Sequence, residues 1–409
     1  MRILHTSDWH LGQHFMGRTR QAEHQTFVHW LAQQVAAHRV DAVIVAGDVF
    51  DTGAPPSYAR ELYHQAVGAI RDAGAELVVL GGNHDSAAVL AESRALLVRV
   101  GCRVVPAAAA DPAEQVLVLS RRGGTPGAVL CAVPFLRPRD LAVQSQAGQG
   151  AADKQLALQE AIRAHYDGLH LLARERSAAL GGLPVVATGH LTTVGASRSE
   201  AVREIYVGAL EAFPTDAFPA ADYIALGHIH QPQKVGGREH IRYSGSPIPL
   251  SFDEAAQRKE VLLVDFDLAG LQAITPLPVP RFQPLASVRG RLDDLPALLA
   301  RAAHAASAAQ PAWLEVEVVA DDYLSDLQPR VARMAEGLHA EVLRVRRARG
   351  TAAAATAAGT VRETLDELDP SQVFERRLAA EDLDEALRTR LLALHRAVVD
   401  DVRAGEGAP

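Results

Sequence analysis

Cysteine is nearly missing from this chain: 409 residues carry two, Cys102 and Cys131. Their separation fits no zinc or redox motif, so both are expected to fill core space. Thiols this sparse suit a reducing cytoplasm and argue against a disulfide-stapled fold. Long apolar runs are missing too. None approaches the ~20 residues that span a bilayer, and no membrane partner is expected. The opening segment Met1-Arg2-Ile3-Leu4-His5-Thr6-Ser7-Asp8 turns polar after two apolar residues, so a secretory leader is not expected. Positive charge is in short supply, with a formal net charge of −8. That sum does not advertise nucleic-acid binding. It does not exclude it either, because only the contacting face has to be positive and bound metal ions add charge that a residue count omits.

What is present describes a large globular chain, 48% hydrophobic and 22% charged, long enough for two or three domains. Over the first two-thirds, short β-branched runs alternate with helical stretches, the pattern of an α/β layered domain. Strands are expected at Ile3–Ser7, Ala42–Ala46, Leu77–Leu80, Val116–Leu119, Val129–Val133, Val185–Thr188, Tyr223–Leu226 and Val261–Phe266. Helices are expected at Gln21–His38, Ser57–Ala73, Ala87–Val100 and from Lys154 to about Ala179. The proline-rich stretch Pro276-Leu277-Pro278-Val279-Pro280 reads as a linker or crossing strand and places a domain boundary. Beyond it a strand–helix–strand–helix–strand pattern is enough for a small α/β cap. An Ala-rich tether, Thr351 to Gly359, and an amphipathic helical tail from Pro370 to Val402 follow. The expected division is 1–275, a cap at 281–348, a linker at 349–369 and a helical region at 370–409.

Five short motifs, each following an apolar strand, carry the chemistry. They are Asp8-Trp9-His10, Gly47-Asp48-Val49-Phe50-Asp51, Gly82-Asn83-His84-Asp85, Gly189-His190 and Gly227-His228-Ile229-His230. Sites in α/β sheets collect beyond the carboxyl ends of strands, so the five loops are expected on one rim. Asp, Asn and His offer oxygen and imidazole nitrogen, donors that suit Mn, Fe or Zn without a thiolate. The two-residue spacing of Asp8 and His10, and of His228 and His230, puts each pair on one side of an extended segment. Seven donors are too many for one ion and suit two ions that share a carboxylate. Such a pair would acidify a water and clamp the attacking and leaving oxygens of an in-line displacement. His84, beside Asn83, is better placed to donate a proton to the leaving oxygen or to meet the charged transition state.

The order of these motifs resembles that of the calcineurin-like metallophosphoesterases, and within them the SbcD-type nuclease subunits of bacterial repair complexes. The resemblance rests on Ile3 to Gly12, Gly47 to Gly53 with Pro55 to Arg60, Gly189-His190-Leu191-Thr192-Thr193-Val194-Gly195-Ala196, and Ala225 to His230. Tyr243 to Phe252 extends it, and it returns at Val373-Phe374-Glu375-Arg376-Arg377-Leu378. It implies a four-layer α/β/β/α sandwich with a small α/β capping domain and C-terminal helices. One ion would be held by Asp8, His10, Asp48 and His230, and the other by Asp48, Asn83, His190 and His228. Asp48 would be the bridge and His84 the catalytic histidine. Archaeal and eukaryotic relatives carry a His where this chain has Asp51, so Asp51 does not inherit that histidine's role. The resemblance further implies a manganese-dependent exonuclease and endonuclease acting on DNA ends and hairpins. It implies homodimers joined to an SbcC-type coiled-coil ABC ATPase, with the amphipathic tail docking on that partner.

Two rival readings remain at this level. A phosphoprotein phosphatase or cyclic-nucleotide phosphodiesterase would use the same centre, but phosphatase relatives follow the second motif's Asp with Arg-Gly. Here Asp51 is followed by Thr52-Gly53. A metal-free scaffold would not need every expected donor. The cluster Arg344, Arg346, Arg347 and Arg349 fits phosphate contacts, partner contacts or a solvated charge run.

Overall fold

The computed structural model describes residues 1–141, 150–197, 212–319, 326–348 and 389–395. Two mixed six-stranded sheets form the centre. The first runs in the order Gly270–Pro278, Glu260–Asp267, Arg2–Thr6, Ala42–Val45, Glu76–Leu80, Cys102–Val105. Its last four strands are parallel, and Glu260–Asp267 joins Arg2–Thr6 antiparallel. The second runs Gln233–Val235, Arg238–Tyr243, Tyr223–Gly227, Val185–His190, Pro126–Cys131, Val116–Ser120.

Period-two alternation explains the layering. Ile3, Ala42, Ile44, Val78 and Leu80 point to one face of the first sheet and meet Leu130, Val186, Tyr223 and Ala225 of the second. Leu4, Val43, Val45, Leu77 and Val79 point the other way, onto the helices Gln21–Ala37 and Ser57–Asp72. The outer face of the second sheet takes Leu158, Ile162, Tyr166, Leu169 and Ala173, a helical stripe of Ala151–Ala179. The result is helix, sheet, sheet, helix. Both cysteines are buried core residues. No helix among the described residues is long and apolar enough to cross a membrane.

Three local expectations change. The helix expected over Ala87–Val100 is two pieces, Ala87–Ala91 and Arg94–Arg99. The break falls at Ser93, whose carbonyl accepts from Leu96 and Leu97 to begin a new turn; serine is a poor helix-interior residue because it competes for backbone donors. Pro276 and Pro278 are not a linker but the end of the edge strand Gly270–Pro278, paired to Leu262 and Glu260. Prolines survive there because an edge strand has one unpaired side. The strands Cys102–Val105, Gln233–Val235 and Arg238–Tyr243 add to those expected from the sequence.

The cap is a three-stranded sheet of Leu285–Gly290, Ala312–Val318 and Ala340–Arg347 with helices Leu295–Ala302 and Leu327–Met334. It meets the sandwich through an aromatic contact: Trp313 stacks on Phe15 with centroids 5.7 Å apart, and Phe15 packs edge-on against Phe252. The tether and nearly all of the tail lie outside the described residues; residues 389–395 are helical.

Candidate metal centre

All five motifs emerge from strand ends of the two sheets, and their loops bend sharply. Among the described residues six non-glycines have positive φ, and four of them are Asp8, His10, Asp48 and His228. Left-handed backbone at Asp and His is strained and is kept where the surroundings over-determine it. This corrects the extended-segment reading of the two-residue spacings. Asp8 and His10 share a cluster with His230, whereas His228 turns into a second cluster with Asp48 and His190. Within each cluster the donor atoms lie within 4.8 Å of one another. Gly82 has to be glycine because a β-carbon there would land on the Asp48 carboxylate.

The arrangement brings all seven expected donors together, each of them buried. His190 donates from Nδ1 to the Ala46 carbonyl at 2.9 Å, which turns Nε2 inward, 3.2 Å from Asp48 Oδ2 and 2.9 Å from Asn83 Oδ1. His228 Nδ1 stands 2.9 Å from the same Asn83 oxygen. His10 Nε2 is buried without a hydrogen-bond partner, 3.6 Å from Asp48 Oδ2. Lone pairs of carboxylate, amide and imidazole thus face one another, which is costly unless a cation or proton lies between them. The titration behaviour says the same. Burial works against charge on His190, yet Asp48 beside it lifts its pKa to about 9. Burial opposes ionisation of Asp48, yet the imidazoles of His190, His10 and His84 hold its carboxyl well below the usual range. A donor set of oxygen and imidazole nitrogen, with an orphaned inward nitrogen, fits a pair of divalent cations.

Behind the donors stands a set of residues whose roles the motifs did not give, Glu254 and Lys259 among them lying outside the five motifs. His10 donates from Nδ1 to Asp51 Oδ1 at 3.2 Å, so Asp51 orients a donor. His230 donates from Nδ1 to Glu254 Oε1 at 3.0 Å, and Lys259 Nζ reaches Glu254 at 2.7 Å and the His230 carbonyl at 2.9 Å. Glu254 and Lys259 are both buried, and removing one would leave the other uncompensated at a cost of ~3–5 kcal/mol. The segment Tyr243 to Phe252 therefore leads to the carboxylate that holds His230. Ser7 donates to Asp8 Oδ2 at 2.6 Å and contacts Ser244 at 2.9 Å. Asp85 accepts from the amides of Gly82, Val49 and Phe50, tying the second and third motif loops together. Burial and then the Asp48 charge push its pKa to about 6. The run Gly189 to Ala196 is structural as well as metal-facing: the Tyr243 hydroxyl donates to the Leu191 carbonyl at 2.6 Å and lies 3.2 Å from Thr193 Oγ1. The signal available in the sequence was the polar content of these runs beyond the donors themselves.

His84 lies beside the centre, its ring 4.8 Å from that of His10. Its amide donates to Asp48 Oδ1 at 2.9 Å, and Nδ1 donates to the Asp51 carbonyl at 2.7 Å. That leaves Nε2 as the nitrogen able to exchange a proton. Burial lowers its pKa, so the imidazolium, once formed, gives up its proton more readily than a solvated one. In the cap, Arg344 and Arg346 pair with buried Glu315, and Arg346 also with Glu317; Arg347 is exposed and Arg349 lies outside the described residues.

Comparison with known proteins gives the family. Residues 1–232 match the calcineurin-like phosphoesterase family, and residues 281–382 match the type 5 capsule protein repressor C-terminal domain. The chain is 52% identical over 391 residues to the SbcD subunit of the SbcCD nuclease of Escherichia coli K12, covering 96% of both chains. It is 40% identical to the Rhodobacter capsulatus protein of the same name over 70% of this chain and 71% of that one. With the Bacillus subtilis protein of that name the identity is 33% over 65% and 66%. The chain belongs to the calcineurin-like metallophosphoesterases, in the family of SbcD nuclease subunits.

Proposed function

We propose that this chain hydrolyses DNA phosphodiester bonds, as an exonuclease on duplex ends and an endonuclease on single strands and hairpins, in repair and recombination. The observation that carries this reading is the convergence of seven buried donors: Asp8, His10 and His230 in one cluster, Asp48, His190 and His228 in another, with Asn83 Oδ1 2.9 Å from His190 and His228 and Asp48 Oδ2 3.6 Å from His10. Asp8, His10, Asp48 and His230 would hold one ion, and Asp48, Asn83, His190 and His228 the other, most suitably manganese. When bound, two dications activate water and neutralise charge on the phosphoryl oxygens. Asp51 and Glu254 hold the imidazoles of His10 and His230 in place. His84, fixed through Nδ1, moves a proton at Nε2 toward the leaving oxygen. Manganese-dependent cleavage of a DNA hairpin, measured beside cyclic-nucleotide turnover, tests the reading; turnover of the cyclic nucleotide alone sinks it.

The same reading assigns a cytoplasmic, nucleoid-associated complex with an SbcC-type coiled-coil ABC ATPase, in which two copies of this chain pair. Leu96 and Val100, both exposed and four positions apart at one short helix, support pairing through the phosphoesterase domain. A cap over 281–348, a linker over 349–369 and a partner-binding region over 370–409 complete the assignment. Truncation before Pro370 should leave manganese-dependent cleavage intact and release the ATPase; continued co-purification of the two refutes the docking role.

A further inference from the structure

Two clefts meet at His84. One, of about 280 Å³, is lined by His10, Gln13, Asp51, His230 and Arg344. The charge of Arg344 is answered there by buried Glu315, and its guanidinium lies over the Phe252 ring. The other cleft, of about 770 Å³, is lined by Asp51, Thr52, Gly53, His84, Arg137 and Arg139. We propose that Arg137 and Arg139 grip a backbone phosphate of the nucleic-acid strand adjacent to the scissile phosphodiester. This rests on the nuclease reading above and names how its substrate is held.

The loop that carries both arginines follows the strand Pro126–Cys131 and is fixed to the third motif. Phe135 N–H donates to the Gly81 carbonyl at 2.8 Å, and Arg137 N–H donates to Asp140 Oδ2 at 3.0 Å. Arg137 Nη2 donates to the Asp85 carbonyl at 3.4 Å, and its guanidinium sits 5.4 Å above the Phe135 ring. A planar cation is thereby held one residue from His84. The two acids of this cleft turn their charge inward, Asp51 to His10 and Asp85 to three backbone amides. Arg139 is 79% exposed, and its Asp140 partner lies 3.7 Å away, a surface pair worth little. What the wall offers a ligand is therefore the exposed guanidinium of Arg139, with the buried Arg137 lining the same cleft; guanidinium is the group that matches phosphate oxygens in a two-point contact. The cleft also has the ~300–1,000 Å³ typical of ligand sites, more room than a lone phosphate needs.

The test uses the full-length chain with Arg139→Ala, and with Arg137→Lys in case Arg137→Ala does not fold. Three quantities are compared with wild type: manganese-dependent hairpin cleavage, turnover of bis(p-nitrophenyl) phosphate, and DNA binding against salt with calcium present. The aryl diester has one phosphate and no neighbour, so it reports the centre without the arginine cleft. Expected are a KM for DNA raised ~10-fold for loss of a charged contact and aryl-diester turnover unchanged. The log–log salt slope should be shallower by ~0.7–0.9 for Arg139→Ala. Unchanged DNA KM and salt slope, or an equal loss on the aryl diester, overturns the proposal while leaving the nuclease reading standing. Wild-type protein that turns over the aryl diester yet leaves DNA intact overturns both.

Discussion

The two donor clusters of the centre differ in what stands behind their imidazoles. In the cluster of Asp8, His10 and His230, both histidines are backed by carboxylates, Asp51 and Glu254, and Glu254 is itself held by Lys259. In the cluster of Asp48, His190 and His228, His190 is backed by the Ala46 carbonyl, and His228 directs Nδ1 inward at Asn83. A carboxylate behind an imidazole raises its basicity and fixes its ring; a carbonyl fixes the tautomer with less electrostatic push. Residues of one type thus form two grades of site, and the carboxylate-backed half should bind its cation more tightly.

The largest test removes Asp48, the carboxylate proposed to serve both halves. Asp48→Ala should abolish cleavage and loosen both ions, as read by metal stoichiometry and hairpin assay; two tightly held ions with normal turnover would falsify the shared-carboxylate idea. Next in size, His84→Gln should keep its metal and lose ~10²–10⁴-fold in turnover. Wild-type rates would remove His84 from proton transfer. To sharpen the comparison itself, Glu254→Gln should weaken one ion by ~10–100-fold and leave the other alone. Calorimetric titration reads this directly, and equal weakening at both sites would show that the halves are not independent.

The smallest effect concerns histidines outside both clusters. Burial holds His5 at a pKa of about 3, and burial, then the Arg20 charge, hold His24 at about 3. Each stays neutral when folded, whereas the unfolded chain takes up a proton below its ordinary pKa of ~6.5. Both groups therefore leave stability untouched above that value and reduce it progressively as pH falls from ~6.5 toward 3. His5→Gln should flatten the pH dependence of urea midpoints in that window, measured without metal. An unchanged slope would mean that His5 is not the group being protonated.

Much of the fold is legible in the sequence because β-branched runs alternate with helices at regular intervals. Eight of the strands lie near where those runs place them, including Ala42–Val45 and Tyr223–Gly227. The stretch Pro276 to Pro280 leaves linker and crossing strand both open, because proline argues against a central strand and says nothing against an edge; the edge strand Gly270–Pro278 decides for strand. At the centre, donors are legible because Asp, Asn and His gather at strand ends, four of the seven directly after a glycine. Glu254 and Lys259 are not, since their roles depend on contacts with His230 and Ser246 made 13 to 29 positions away.

By itself the sequence determined which chemistry this protein can perform: donor types, their order along the chain and the strands that end beside them are written in local residue choice. Which donor shares a cluster with which, which group stands behind each imidazole, and that Arg137 reaches the Asp85 carbonyl were decided only on folding. Those facts follow from strained loops and two facing sheets that bring distant segments within hydrogen-bond range, and no spacing along the chain encodes a distance through space.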